Sequence, residues 1–339
     1  MKKTVFFFIA AAISIVLIGC TADTADYYES QMYSMDTVMT ISANGSDSES
    51  AIKECEKEIS RLDSLLSVTG EGDIKRINDN AGKFVQVSEE TISLIRSAQV
   101  ISERTDGAFD ITSGVLSELW GFRDKNYRVP SDEEISAALQ LVDYRKIEID
   151  GDRVRVPSGM SVDLGAIGKG YASQRTHDIF SRSDVYSAMV SLGGNVQPFG
   201  SKPDGSDWRI GIRHPDNDNA CIAVVGISDK AVVTSGGYQR YFENGGKIYH
   251  HIFDANTGRP AESGILSATV ICPDGLTADA LSTALYVIGA DKAVGYYEKY
   301  GGFDMILVCG GGKVIVTSGI TDRVELQDDN YEIVTVNQK

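Results

Sequence analysis

At Asp163 the texture of the chain changes, and the change narrows the folds open to it. From there on, short apolar runs are separated by glycine turns. Tyr186–Leu192, Trp208–Ile212, Ala220–Ile227, Ala231–Thr234, Ser267–Cys272, Asp304–Val308 and Val314–Thr317 read as strands, while Ile167–Phe180, Ala278–Ile288 and Asp291–Tyr300 carry helical patterning. Strands and helices mix without strict βαβ alternation, so the expected class is α+β, with packed helices on a mixed or antiparallel sheet and no doubly wound parallel sheet. Glycine matters to this reading: 34 of 339 residues is above the usual share of about 7%, and much of it stands at 165–170, 193–194, 236–237 and 245–246.

Upstream of Asp163 the pattern is mainly helical. Ile52, Cys55, Ile59, Leu62 and Leu66 recur at helical spacing behind Ser46 and Glu49, which stand at capping-box separation. A second helix is expected from Ser88 through Ile101, and a third opens at Ser131 with Glu134 three residues on. Met32–Ile41 reads as the first strand, and Asp150-Gly151 between Lys146–Ile149 and Arg153–Val156 as a hairpin turn. A hydrophobic share of 42% is ample for a core. No repeat of fixed period and no Pro- or Ser-rich linker divides residues 32–339, so they are expected to form one domain with room for two lobes.

The beginning of the chain has a different logic. Lys2 and Lys3 precede an apolar stretch from Val5 to Ile18; as a helix it would span about 21 Å, short of the roughly 30 Å hydrocarbon core, so residues 1–19 read as an export signal and not a membrane span. Leu17-Ile18-Gly19-Cys20 resembles the lipobox of bacterial lipoproteins. That resemblance implies lipidation of Cys20 and anchoring to a bacterial cell membrane on the extracytoplasmic side, the alternative being an ordinary cleaved signal. Residues 20–31, polar and small, read as a tether. Cys55, Cys221, Cys272 and Cys309 lack CxxC spacing, so a zinc site is poorly supported and no disulfide is assigned.

The formal net charge is −16, and loss of Lys2 and Lys3 with the signal takes it to −18. No run of Lys and Arg interrupts that acidity, so no nucleic-acid partner is expected. A phosphate-bearing ligand would have to be met by a cation or by backbone amides.

Four segments set polar residues among glycines in ways that packing does not require. In Asp163-Leu-Gly-Ala-Ile-Gly-Lys-Gly170, glycines ahead of a helix allow close approach to an anion; a tight strand-to-helix turn with a solvated lysine fits equally. Ser191-Leu-Gly-Gly-Asn195 is the second. The third, His250-His-Ile-Phe-Asp-Ala-Asn-Thr-Gly258, holds the adjacent histidines, where a general base or a structural histidine is possible. In Thr277-Ala-Asp-Ala-Leu-Ser-Thr283, Asp279 and Thr283 fall one helical turn apart. Two hard oxygen ligands so spaced suit Mg²⁺, and a capping role for Asp279 is the competing reading.

In order, these segments together with Met35-Asp-Thr-Val-Met-Thr40, Gly107-Ala-Phe-Asp-Ile-Thr112 and Leu119-Trp-Gly-Phe122 resemble the ApbE family of FAD:protein FMN transferases. The resemblance runs along nearly all of the chain after the signal. It implies a single ApbE-like, T-fold-like domain at 32–339 that uses Mg²⁺ and takes FAD as substrate. FMN would pass to a Thr or Ser hydroxyl of acceptor proteins, such as extracytoplasmic redox subunits, with release of AMP. Residue by residue, it implies that Met35, Ala108, Phe109 and Asp110 contact the flavin nucleotide and that Asp163 and Lys169 hold its ribose and phosphate region. The carbonyl of Ala166 would join Asp279 and Thr283 as metal ligands, with Ser282 where some members have a further carboxylate. His251, with Asp254, is the implied catalytic pair, and Ile252 and Phe253 between them would line the cofactor. Thr69 stands where the family often has an aromatic ring that stacks on FAD; Ala255 and Gly168 replace a common proline and alanine. Two alternatives share the residues: an FAD pyrophosphatase yielding FMN and AMP, and a flavin-binding lipoprotein without catalysis.

Overall fold

Nine strands lie side by side in the order in which the chain makes them. A computed structural model describes residues 26–338; the signal, the lipobox and Cys20 fall outside the described residues. The sheet runs β1 (Tyr27–Ser34), β2 (Thr37–Gly45), β3 (Val185–Leu192), β4 (Asn195–Phe199), β5 (Ala231–Gly236), β6 (Ile265–Cys272), β7 (Asp304–Cys309), β8 (Lys313–Thr317) and β9 (Glu332–Val336). Every neighbouring pair is antiparallel except β8 and β9, which are parallel. The expected α+β class and largely antiparallel sheet are therefore present. Helices ride on the connections: α1 (Ser48–Leu66), α2 (Asp73–Asp79), α3 (Glu89–Arg104), α4 (Gly114–Leu119), α5 (Asp132–Leu139) and α6 (Gly165–Ser181) between β2 and β3, then α7 (Gly275–Ile288) and α8 (Ala290–Tyr300) between β6 and β7.

One face of the sheet carries α1, α6 and α7. Ile52, Cys55, Ile59 and Leu62 of α1 bury against Met39 and Ile41 of β2 and Val190 of β3. Ala280, Leu281, Ala284 and Leu285 of α7 bury against Ala268 and Val270 of β6 and Met305 and Leu307 of β7. Each fully buried Ile or Leu there contributes about 1.5–3 kcal/mol. On the opposite face, a three-stranded sheet (Trp208–His214, Asn217–Ile227, Val324–Leu326) packs Ile210, Ile212 and Val225 onto Ile271, Ile306 and Val316. Leu116, Trp120, Phe122, Ile135 and Phe253 form a separate small core, against which Phe242 and Tyr249 of the hairpin Tyr241–Asn244/Lys247–His250 pack.

Three local expectations need correction. Residues 27–31, read as tether, belong to β1: Tyr28, Ser30 and Met32 are half-buried while Tyr27, Glu29, Gln31 and Tyr33 face outward. An edge strand with one wet face is polar enough to resemble a linker. Met32–Ile41 is not one strand, because the chain reverses at Met35-Asp36 with φ of 47° and 60°. Ser46 does not cap α1; Asp47 holds that position, and the Ser46 hydroxyl donates instead to Asp184 Oδ2 at 2.8 Å, tying the start of α1 to the start of β3. The other caps follow the expected chemistry, with Ser88 accepting from the Thr91 N–H and a complete capping box at Ser131 and Glu134. Among the described residues no helix is long and apolar enough to cross a membrane.

Candidate active site

α6 and α7 cross backbone to backbone. A Cβ placed on Gly170 would lie 2.1 Å from the Gly275 carbonyl oxygen and 2.6 Å from Asp279 Cβ, and one on Gly275 would lie 2.4 Å from the Gly170 carbonyl oxygen. Only paired glycines permit that approach. Its consequence is chemical: Asp279 of α7 reaches α6, and its Oδ2 accepts the Gly170 N–H at 2.8 Å. In a regular helix that N–H serves the carbonyl four residues back, Ala166. One crossing thus gathers the Ala166 backbone, Asp279 and, one turn along α7, Thr283, and all three line the same cleft.

Asp279 is 4% exposed and has no ion-pair partner among the described residues. Burial raises its carboxyl pKa, opposed by the nearby Lys169 charge and the Gly170 amide. A buried carboxylate, a hydroxyl and a backbone carbonyl are hard oxygen donors, and the set fits a small divalent cation that keeps water or phosphate oxygens in its remaining positions. Among the described residues no cluster of three or more His, Cys, Asp or Glu could hold a metal unaided. Ser282 stands apart from this set. It is fully buried behind the cleft, where its hydroxyl donates to the Asp279 carbonyl at 2.8 Å and meets Ser235 Oγ at 2.8 Å. Sequence reasoning did not single out Ser235. It lines the cleft at the end of β5, 3.1 Å from Thr283 Oγ1, and the only hint was a hydroxyl directly before Gly236-Gly237.

The cleft has a volume of about 1810 Å³. Met35, Thr69, Ala108, Phe109, Asp110, Asp163, Lys169, His251, Ile252 and Phe253 all border it; Asp254 and Ser282 do not. Lys169 is half-buried and forms no ion pair among the described residues, an available cation in an acidic chain. Asp163 Oδ1 accepts the Gly165 N–H at 2.8 Å and so shapes the entry to α6. The Asp110 carboxylate is occupied by its own loop: it accepts from the Thr112 N–H (2.8 Å), the Thr112 hydroxyl (2.7 Å) and the Tyr144 N–H (3.0 Å), and burial raises its pKa. These bonds tie the 108–112 loop to the start of the turn at Tyr144. Thr69 brings no ring, but Tyr33, Tyr127 and Tyr241 border the cleft and are exposed.

His251 and His250 have separate environments. His251 Nδ1 lies 3.1 Å from the Arg240 carbonyl oxygen, which can only accept, so Nδ1 carries the proton and Nε2 is the basic nitrogen. Burial, with the Arg240 and Lys169 charges, pushes its pKa down to about 3, so the ring is neutral at pH 7. His250 Nε2 meets the Ala261 carbonyl at 3.0 Å and the Tyr286 hydroxyl at 3.3 Å, a structural arrangement wedged against Gly237. Asp254 does not orient His251. Its Oδ1 accepts the Asn256 N–H at 2.9 Å and its backbone carbonyl closes a turn onto Gly258 at 2.8 Å.

The Met35-Asp36 turn closes the far rim. Left-handed backbone costs a non-glycine residue about 1–2 kcal/mol, and here two such residues are consecutive. The strand after it packs on Gly193, where an added Cβ would come within 2.3 Å of Thr37 Oγ1.

Known proteins are similar to this chain in sequence and in fold. The chain is 34% identical over 282 residues to an FAD:protein FMN transferase of Klebsiella pneumoniae, covering 81% of this chain and 87% of that protein. It is 33% identical over 273 residues to one of Treponema pallidum, covering 75% of each. The crystal structure of the ApbE protein of Thermotoga maritima superposes with a TM-score of 0.80 at 39% identity, covering 85% of this chain and 96% of that one. Pseudomonas stutzeri flavinyl transferase ApbE, in its apo form, gives 0.74 at 34% identity, covering 84% and 91%. The ApbE family model matches residues 35–307, a span that includes every cleft residue discussed above except Tyr33, and the chain belongs to the ApbE family.

Proposed function

We propose that this protein is an FAD:protein FMN transferase that joins FMN through a phosphoester to a Thr or Ser hydroxyl of an acceptor protein and releases AMP. The observation that carries the reading is the Gly170–Gly275 crossing, which sets Asp279 and Thr283 beside Ala166 and Lys169 in the cleft that also holds a neutral His251. Ala166, Asp279 and Thr283 would hold Mg²⁺, which, when bound, neutralises pyrophosphate charge. Lys169 adds a fixed positive charge for the phosphates. The acceptor oxygen forms a bond to the FMN phosphorus, the bond from that phosphorus to the bridging oxygen breaks, and AMP leaves with that oxygen. The hydroxyl proton passes to His251 Nε2, the nitrogen left free to accept it by the Nδ1 bond to the Arg240 carbonyl. The lipobox supports an extracytoplasmic, membrane-anchored enzyme held by Cys20.

The test is incubation with FAD, Mg²⁺ and a candidate extracytoplasmic redox acceptor, followed by mass spectrometry of the intact acceptor. An added FMN is expected. Free FMN and AMP with an unmodified acceptor identify a pyrophosphatase, and FAD retention without AMP identifies a binding protein.

A further inference from the structure

The Met35-Asp36 turn has the wrong residues for its shape. A two-residue hairpin loop with both φ values positive strongly favours Asn-Gly, Asp-Gly or Gly-Gly. Here it is built from methionine and aspartate, at φ of 47° and 60°. Strained backbone of this kind persists only where surrounding structure over-determines it. The tie is visible: Asp63, half-buried on the last turns of α1, accepts with one oxygen, Oδ2, both the Ser34 hydroxyl (2.8 Å) and the Met35 N–H (3.1 Å). Ser34 is 5% exposed, and Asp63, Met35 and Asp36 all border the cleft. No cation pairs with Asp63 among the described residues, and both hydrogen bonds that its carboxylate accepts come from this turn.

We propose that Asp63 is a positioning residue for FAD, holding the turn in its left-handed conformation so that Met35 stays on the cleft wall. The inference rests on the reading that this cleft binds FAD. Asp63 acts through Met35 and does not itself need to touch the ligand. Without it, the turn would relax toward conformations that methionine and aspartate prefer, and Met35 would leave the wall.

The test is titration of FAD into purified protein, read by quenching of flavin fluorescence, with no acceptor and no turnover required. Asp63→Ala is expected to weaken FAD binding by about tenfold, while Asp63→Asn, which keeps an acceptor oxygen, stays within about threefold. Asp36→Gly added to Asp63→Ala is expected to recover most of the loss, because glycine adopts φ near 60° without strain. A direct contact from Asp63 to FAD predicts no such rescue. Unchanged affinity in Asp63→Ala, or a double variant no tighter than the single, overturns the positioning role. Should Asp63→Ala lose its thermal transition, Ser34→Ala takes its place, with a loss of about threefold expected and unchanged affinity overturning the role. Wild-type protein that fails to quench FAD overturns the functional reading itself, an outcome distinct from wild-type binding that Asp63→Ala leaves intact.

Discussion

Replacing Gly170 with alanine sets two physical effects against each other. Gly170 lies inside α6, where alanine is favoured by about 1 kcal/mol on helix propensity alone. The crossing reverses that sign. The new Cβ would sit 2.1 Å from the Gly275 carbonyl and 2.6 Å from Asp279 Cβ, neither of them the free end of a flexible side chain. Restoring ordinary contact requires the helices to part by about 1 Å, and overpacking of this kind costs roughly 1–3 kcal/mol. Both helices are held by buried side chains, Ile167 and Ile179 on α6 and Leu281 and Leu285 on α7, so relaxation falls on the seam where Asp279 accepts the Gly170 N–H. Gly170→Ala should therefore lower the melting temperature by about 2–4 °C per kcal/mol lost. It should also reduce turnover by on the order of 100-fold, because Ala166 separates from Asp279 and Thr283 by about 1 Å. Scanning calorimetry and Mg²⁺-dependent AMP release measure the two effects. A variant as stable and as active as wild type, or more stable as propensity predicts, refutes the claim that the crossing builds the site.

Asp279→Asn keeps an acceptor for the Gly170 amide but not the charge, so it should retain the thermal transition and lose Mg²⁺-dependent turnover; turnover that survives at ordinary Mg²⁺ removes Asp279 from the metal site. Ser235→Ala should weaken Mn²⁺ affinity by roughly two- to tenfold through loss of the hydroxyl contact to Thr283, measured by calorimetry without substrate. For His251 the folded pKa lies near 3, below its usual 6.5, so the unfolded chain binds more protons between those values and stability must fall as pH drops from about 6.5 toward 3. His251→Gln should flatten that slope in urea titrations across the same range, leaving the smaller share due to His250, whose pKa burial also lowers.

Elements with a strong local signal were legible in the chain. The periodic apolar face of α1, the cap at Ser88 and the box at Ser131 arise from neighbours a few residues apart, and all three are present in the folded chain. The first half of the edge strand β1 was not, because Glu29, Ser30 and Gln31 interrupt its apolar pattern and its pairing with β2 is what makes it a strand. The Met35-Asp36 reversal was hidden for the opposite reason: local preference argues against it, and Asp63, far along the chain, enforces it.

The site divides the same way. Spacing alone put Asp279 and Thr283 on one helix face, and composition alone required that any phosphate ligand of so acidic a chain be met by a cation or by backbone amides. Which residues stand opposite that face is a matter of helix packing, and packing depends on groups that no local pattern connects. Gly170 and Gly275 meet only because α6 and α7 cross, and that meeting turns Asp279 from a possible cap into a buried carboxylate beside Ala166. The packing of α7 on the sheet buries Ser282 and brings Ser235 of β5 to Thr283. Asp254, adjacent in sequence to the His251 segment, spends its carboxylate on its own turn, and a carbonyl of Arg240 sets the histidine tautomer instead. The sequence by itself determined the residue types and their faces; the tertiary structure decided which of them meet, because a contact across a sheet and two helices is fixed by how backbones approach and not by how residues are spaced.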